Sequence, residues 1–92
     1  MNEKTLELKL REGVKKLGGL ALKYTSSTHT GMPDRLVLMP GEFTYFVELK
    51  STGKKPTRIQ EQAIKQLEGL NYEVWVIDTQ DKLTEFLKYI AE

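Results

Sequence analysis

Three residues with chemically active side chains lie at the ends of two predicted strands. Glu48 and Lys50 close a strand predicted from Phe43 to Lys50, and Asp34 opens the strand before it. Because side chains alternate between the two faces of a strand, Glu48 and Lys50 point to the same face. Pairing of the two strands as a hairpin would bring Asp34 beside them, so that two carboxylates and an ammonium group converge.

This combination of groups is suited to phosphoryl chemistry. Carboxylate oxygens are the ligands that Mg²⁺ and Mn²⁺ prefer, and such an ion polarises a phosphoryl oxygen and lowers the pKa of a bound water. A neighbouring lysine can orient that water or stabilise the charge that develops on phosphorus. A simpler interpretation stays open, in which Glu48 and Lys50 form a solvated ion pair at a strand end and Asp34 serves a turn after Pro33.

Three further residues, two acids on one helix and a glutamine on another, each allow two interpretations. Glu7 lies at the margin of an apolar stripe on the predicted first helix, and Glu3 lies further inside the stripe near the helix end. Either could supply a third carboxylate, or could be a surface acid favoured by the helix dipole. Gln60 lies among apolar residues on the predicted second helix, where it could face the site or could complete a capping box with Thr57.

The elements that position these residues follow from the hydrophobic pattern, which predicts the order α-β-β-β-α-β-α. Helices are expected at about Glu3 to Leu17, Arg58 to Gly69 and Thr79 to Ala91, and strands at Gly19 to Thr25, Arg35 to Met39, Phe43 to Lys50 and Tyr72 to Ile77. The Pro40-Gly41 turn predicts a hairpin of the second and third strands. A mixed sheet with helices packed against it is the expected architecture.

The composition limits the possible classes of protein. Ninety-two residues predict one domain over 1–92, and 14 basic residues against 13 acidic ones exclude a generally basic nucleic-acid coat. The absence of cysteine excludes disulfides and thiolate metal sites. No apolar run is long enough for a membrane span, and no apolar segment typical of a signal peptide follows Met1. A cytoplasmic protein that does not bind membranes is therefore expected.

The motifs Gly31-Met32-Pro33-Asp34 and Glu48-Leu49-Lys50, followed by Gln60 early in the next helix, resemble the PD-(D/E)xK nuclease superfamily. The similarity is to its VRR-NUC branch, the virus-type replication-repair nucleases, and it extends from Glu7 to about Asp78. It implies a restriction-endonuclease-like αβββαβ core, in which helices flank a mixed four-stranded sheet, with an added C-terminal helix. Because small stand-alone members of this branch are viral and bacterial, it also implies the cytoplasm of a bacterial or phage-infected cell.

The resemblance further implies roles for individual residues. The metal ligands would be Asp34, Glu48, the backbone carbonyl of Leu49, and Glu7. Lys50 would position or activate the attacking water, and Gln60 would support the site or contact phosphate. Glu7, favoured over Glu3, would bind a second metal ion or hold a metal-bound water. The implied reaction is Mg²⁺- or Mn²⁺-dependent endonucleolytic hydrolysis of DNA, with branched or junction DNA as an expected substrate and with 5′-phosphate and 3′-hydroxyl products.

DNA binding by a nearly neutral chain requires local positive charge. Basic residues are concentrated around the predicted site, and the candidate DNA contacts are Lys23, Arg35, Lys54, Lys55 and Arg58. A homodimer is expected, because it would place two sites across one substrate and would bury apolar surface. Two alternatives stay open: a catalytically inactive nuclease-like domain that binds nucleic acid or a protein, and an α/β interaction domain in which Glu48 and Lys50 are a surface pair.

Overall fold

The computed structural model describes all 92 residues and has the predicted order of elements. Its helices are α1 (Glu3–Lys16), α2 (Arg58–Gly69) and α3 (Gln80–Ile90), and its strands are β1 (Leu20–Lys23), β2 (Arg35–Met39), β3 (Phe43–Leu49) and β4 (Glu73–Ile77). These bounds differ from the predicted ones by at most two residues, which is the usual uncertainty at element ends. None of the three helices has the length and apolarity needed to cross a membrane.

The four strands form one sheet in the order β1-β2-β3-β4. The pairs β1–β2 and β2–β3 are antiparallel, whereas β3 and β4 are parallel. A parallel pair cannot be joined by a tight turn, and α2 supplies the necessary crossover. The mixed sheet and its flanking helices therefore confirm the predicted fold class.

The hydrophobic core lies on the face of the sheet that α1 and α3 cover. Periodic apolar residues on these helices pack on alternate residues of β2 and β3, and the buried cluster comprises Leu6, Leu10, Val14, Val37, Tyr45, Val47, Leu49, Ile77, Leu83, Phe86 and Ile90. The intervening residues of β3 point to the other face, where α2 packs along β4. Polar residues at the ends of β2 and β3 on that second face are therefore available for a site.

The strand register places Asp34 next to Glu48. Arg35 pairs with Val47 in the β2–β3 hairpin, so the residues just outside that pair, Asp34 and Glu48, lie opposite each other. Directly opposed residues of an antiparallel pair share a face, and neither side chain can leave that face without a shift of register. The predicted hairpin is confirmed, and it brings the two carboxylates together.

Candidate active site

The structure brings Asp34, Glu48 and Lys50 into one cluster. Glu48 is buried, with only 5% of its side chain exposed, and the Lys50 Nζ atom lies 3.4 Å from Glu48 Oε2. The backbone N–H of Asp34 donates to Glu48 Oε1 at 3.2 Å, while the N–H of Leu49 donates to Asp34 Oδ1 at 3.1 Å. Because Glu48 is buried, the ion pair is not the solvated strand-end pair of the simpler interpretation.

Gln60 completes the capping box and also faces the site, so both of its predicted interactions are present. Its Oε1 atom accepts the backbone N–H of Thr57 at 2.8 Å, and its own N–H donates to the Thr57 hydroxyl at 3.3 Å, which together form the capping box. Its Nε2 atom donates to Glu48 Oε2 at 3.1 Å. An amide can do both because its oxygen and nitrogen are separate hydrogen-bonding groups. The start of α2 is thereby tied directly to the buried carboxylate.

The local electrostatics favour a cation at this position. Burial raises the pKa of the Glu48 carboxyl above its ordinary value of 4.5, and the negative charge of Asp34 raises it further. The charge of Lys50 and its hydrogen bond lower the pKa of Glu48, but these effects are smaller than that of burial. A buried carboxylate beside a second carboxylate is costly when ionised, and a divalent ion between the two would relieve that cost.

The residues present are compatible with Mg²⁺ or Mn²⁺. Each carboxylate oxygen has two lone pairs, so the hydrogen bonds to Asp34 and Glu48 leave capacity for a metal ion. The backbone of Leu49 lies beside Asp34, because its N–H bonds that side chain. Asp34 and Glu48 are the only acidic side chains at this position. No set of three or more His, Cys, Asp or Glu residues in the protein is arranged to hold a metal ion. Water molecules commonly complete the octahedron of Mg²⁺.

Neither candidate acid of α1 joins this group. Glu7 is 26% exposed and forms an ion pair with Arg11, with Glu7 Oε1 and Arg11 Nη1 3.3 Å apart. Glu3 is exposed in the first turn of the helix. The helix does begin at the same edge of the sheet, because the amino group of Met1 donates to Thr52 just after β3. The role of Glu7 stays a prediction.

The loop before Asp34 is held against α2. The His29 Nε2 and Gln66 Oε1 atoms are hydrogen-bonded at 2.7 Å. Gly31 has a φ of +86° and packs so closely that an added Cβ would lie 2.8 Å from the carbonyl oxygen of Ile59. Only glycine fits there, and Pro33 beyond it is buried. The glycine and the proline of the motif therefore fix the approach of the chain to Asp34.

Four of the five candidate DNA contacts are exposed. Lys54, Lys55 and Arg58 lie after β3 and at the start of α2, and Lys23 ends β1. Arg35 differs, because its side chain is only 14% exposed and its Nη1 atom donates to the backbone oxygen of Asp34 at 2.9 Å. The four exposed residues are accessible to a phosphate backbone, while Arg35 is turned toward the carboxylate cluster.

Asp78 anchors the basic loop, which is the segment between β3 and α2 that carries Lys54 and Lys55. The sequence patterns did not point to Asp78. Its Oδ2 atom accepts the N–H of Gly53 at 3.2 Å, and its backbone oxygen accepts the Thr52 hydroxyl at 2.9 Å. The ion pair with Lys82, at 2.9 Å, lowers the pKa of Asp78 through a hydrogen bond. Asp78 directly follows β4, and its position beside this loop depends on the parallel pairing of β3 with β4, which no local sequence pattern indicates.

Comparison with known proteins is consistent with this geometry. The chain is 41% identical over 81 residues to a protein named "Putative nuclease p44" from Acyrthosiphon pisum secondary endosymbiont phage 1, and the match covers 88% of this chain and 87% of that protein. A solved structure described as a VRR_NUC domain matches with a TM-score of 0.88 and 25% identity over 95% of both chains. The chain belongs to the VRR-NUC nuclease family. No family model matches the sequence.

Membership of the VRR-NUC family agrees with the arrangement of the motif residues. The Gly31-to-Asp34 motif enters β2, the Glu48-to-Lys50 motif ends β3, and Gln60 lies in the first turn of α2. The VRR-NUC fold therefore presents these residues at one edge of the sheet, on the face that α2 covers.

Proposed function

We propose that this VRR-NUC protein is a Mg²⁺- or Mn²⁺-dependent DNA endonuclease. One observation carries the proposal: buried Glu48 is in hydrogen-bond contact with the backbone of Asp34, with Lys50 and with Gln60, at the sheet edge beside the exposed basic loop. Buried glutamates are rare in proteins, and clusters with perturbed carboxylates are typical of functional sites. Mg²⁺ or Mn²⁺ would be held by Asp34, Glu48 and the carbonyl of Leu49.

The residues of the chain have distinct tasks in the proposed hydrolysis. The bound ion supplies Lewis-acid stabilisation of the phosphoryl oxygen. Lys50 orients the attacking water and stabilises the negative charge that develops on phosphorus. A P–O bond forms to the water oxygen and the P–O3′ bond breaks, which leaves a 5′-phosphate and a 3′-hydroxyl. Gln60 holds Glu48 in place through its hydrogen bond to Oε2, and Glu7 would help to hold a second metal ion or a water on the metal.

A cleavage assay tests the proposed activity. The protein is incubated with Mg²⁺ or Mn²⁺ and single-stranded, duplex, flap or four-way-junction DNA, with Asp34→Asn as the matched control. We expect metal-dependent cleavage with a preference for branched or junction substrates, and we expect the variant to lose it. DNA binding without cleavage by the wild-type protein would instead support the catalytically inactive nucleic-acid-binding alternative, and neither binding nor cleavage would support the protein-interaction alternative.

We also propose that the active form is a homodimer. Leu20 and Leu22 on β1 are 59% and 43% exposed, on the sheet face opposite the core, where α2 covers β4 rather than β1. Their pairing partners, Leu38 and Leu36, are only partly buried. A second copy would cover this apolar stripe and would give one DNA molecule two active sites.

Light scattering at micromolar concentration tests the homodimer. We expect a mass of twice 10.6 kDa for the wild-type chain. Leu22→Lys should shift the protein toward monomer, because it buries an unpaired charge in the proposed interface. A wild-type protein that stays at 10.6 kDa would contradict the dimer.

A further inference from the structure

Arg35 is the one candidate DNA contact that is turned away from solvent. Its Nη1 atom donates to the backbone oxygen of Asp34 at 2.9 Å and to Asp34 Oδ2 at 3.3 Å. Its Nε atom is buried and has no hydrogen-bond partner. A DNA phosphate could not reach that donor without rearrangement of the protein, so the contacts of Arg35 are those of a residue that acts within the protein.

The strand register explains how Arg35 reaches Asp34 from the opposite side of the sheet. Arg35 pairs with Val47, a core residue beneath α1 and α3, so its side chain leaves the sheet on that face. Asp34 and Glu48 lie on the face that α2 covers. The guanidinium therefore reaches Asp34 from the core side of the sheet, where it contacts the backbone oxygen and Oδ2.

Each oxygen of the Asp34 carboxylate has its own donor. Oδ1 accepts the backbone N–H of Leu49, and Oδ2 accepts Arg35. The backbone oxygen of Asp34 accepts both Arg35 and the N–H of Tyr24 at 2.9 Å. These contacts fix the backbone and the side-chain rotamer of Asp34 together. Each acid of the cluster also has its own cationic partner: Arg35 forms an ion pair with Asp34, and Lys50 forms one with Glu48.

We infer that Arg35 is a positioning residue that orients the Asp34 carboxylate toward a divalent metal ion, and that it does not contact DNA. The inference rests on the proposed function, in which Asp34 is a metal ligand. Hydrogen-bond partners of metal-ligating carboxylates hold the ligand in its binding orientation, and their removal weakens metal affinity. The rigid fork of a guanidinium suits this task better than the flexible ammonium of lysine.

Metal titration in the absence of DNA distinguishes a positioning role of Arg35 from a role as a DNA contact. Mn²⁺ binding is measured by electron paramagnetic resonance for the wild type, Arg35→Gln, Arg35→Lys and Arg58→Gln, with circular dichroism as the check on folding. We expect Arg35→Gln to weaken Mn²⁺ binding by about tenfold or more, Arg35→Lys to recover part of that loss, and Arg58→Gln to bind Mn²⁺ like the wild type. If Arg35→Gln does not fold, the comparison of Arg35→Lys with the wild type decides.

Two further measurements complete the test. Cleavage by Arg35→Gln should recover when Mn²⁺ is raised, and the salt dependence of its DNA binding in Ca²⁺ should match the wild type, whereas Arg58→Gln should lower that slope by about one unit. Wild-type Mn²⁺ affinity in the Arg35 variants together with a reduced salt slope would overturn the inference and make Arg35 a DNA contact. No Mn²⁺ binding by the wild type would instead refute the proposed metal site.

Discussion

At the scale of single residues, Glu48 combines burial with a like-charged neighbour. Its oxygens accept hydrogen bonds from the backbone of Asp34 and from the amide of Gln60, but only Lys50 brings a compensating charge. Such donors fix the orientation of the carboxylate without removing its repulsion from Asp34. A neutral side chain in place of Glu48 would serve a purely structural role as well. The buried charge therefore favours the interpretation that Glu48 binds a cation.

The raised pKa of Glu48 predicts a characteristic pH dependence of stability. A carboxyl whose pKa is higher in the folded state than its unfolded value of about 4.5 favours the folded state when protonated. The free energy of unfolding of the metal-free protein should therefore fall as the pH rises from about 4.5 through the raised pKa. Urea denaturation at a series of pH values measures this contribution as the difference between the wild type and Glu48→Gln. A difference that grows in favour of the wild type with rising pH would contradict it.

Lys50 should be needed for turnover and not for metal binding. Its ammonium lies beside Glu48 and is not a metal ligand, so Lys50→Ala should keep Mn²⁺ affinity while kcat falls by about 100-fold or more. Single-turnover cleavage, at saturating metal and with protein in excess over DNA, measures the loss in the chemical step. A variant that cuts at the wild-type rate would show that Lys50 does not stabilise the transition state.

At the scale of elements, one side chain couples the start of α2 to the site. Gln60 closes the capping box with Thr57 and also holds Glu48. The position of α2 and the orientation of the Glu48 carboxylate are therefore linked through the amide of Gln60. Substitutions can separate an effect on the cap from an effect on Glu48.

A pair of substitutions separates the two roles of Gln60. Thr57→Ala removes half of the capping box, and it should lower the free energy of unfolding by about 1 kcal/mol with little effect on kcat. Gln60→Ala removes the hydrogen bond to Glu48 as well, so it should lower both stability and kcat. Urea denaturation and cleavage rates of the two variants give the comparison. Equal kcat values in the two variants would limit Gln60 to a capping role.

The bounds of some helices and strands could be predicted from the sequence. Local signals predicted the bounds of α2 and β2 without error, because the Thr57 cap and the Pro40-Gly41 turn lie next to the residues that they control. The alternation in β3 likewise predicted that Glu48 and Lys50 share a face.

Contacts between distant parts of the chain could not be predicted in this way. The burial of Arg35 depends on its pairing with Val47 on the core face of the sheet. The anchoring of the basic loop by Asp78 depends on the pairing of β3 with β4. The position of Glu7 relative to the site depends on how α1 packs across the sheet. None of these leaves a local pattern in the sequence.

At the scale of the whole molecule, a nearly neutral chain has exposed positive charge near the sheet edge that carries Asp34 and Glu48. Lys54 and Lys55 lie in the loop after Lys50, and hydrogen bonds to Asp78 anchor the start of that loop. The amides at the start of α2 add donors for an anion. This arrangement predicts that DNA approaches along the loop toward Glu48.

The salt dependence of DNA binding tests that approach. The double substitution Lys54→Ala with Lys55→Ala would remove two proposed phosphate contacts, so the slope of log K against log salt should fall by about two units. Fluorescence anisotropy gives the slope. It is measured in Ca²⁺ to avoid the DNA cleavage that we expect with Mg²⁺ or Mn²⁺. The double variant of Lys15→Ala with Lys16→Ala, at the far end of α1, is the matched control. Equal slopes in the wild type and the Lys54 and Lys55 variant would place the phosphate path elsewhere.

The central proposal is that Asp34 and Glu48 together bind one divalent ion. Calorimetric titration of Mn²⁺ into the DNA-free protein measures this directly, with the isosteric variants Asp34→Asn and Glu48→Gln as comparisons. We predict saturable binding to the wild-type protein, and loss of that binding in each variant although both remain folded. Binding that survives both substitutions, or a wild-type protein that binds no Mn²⁺, would contradict the proposal.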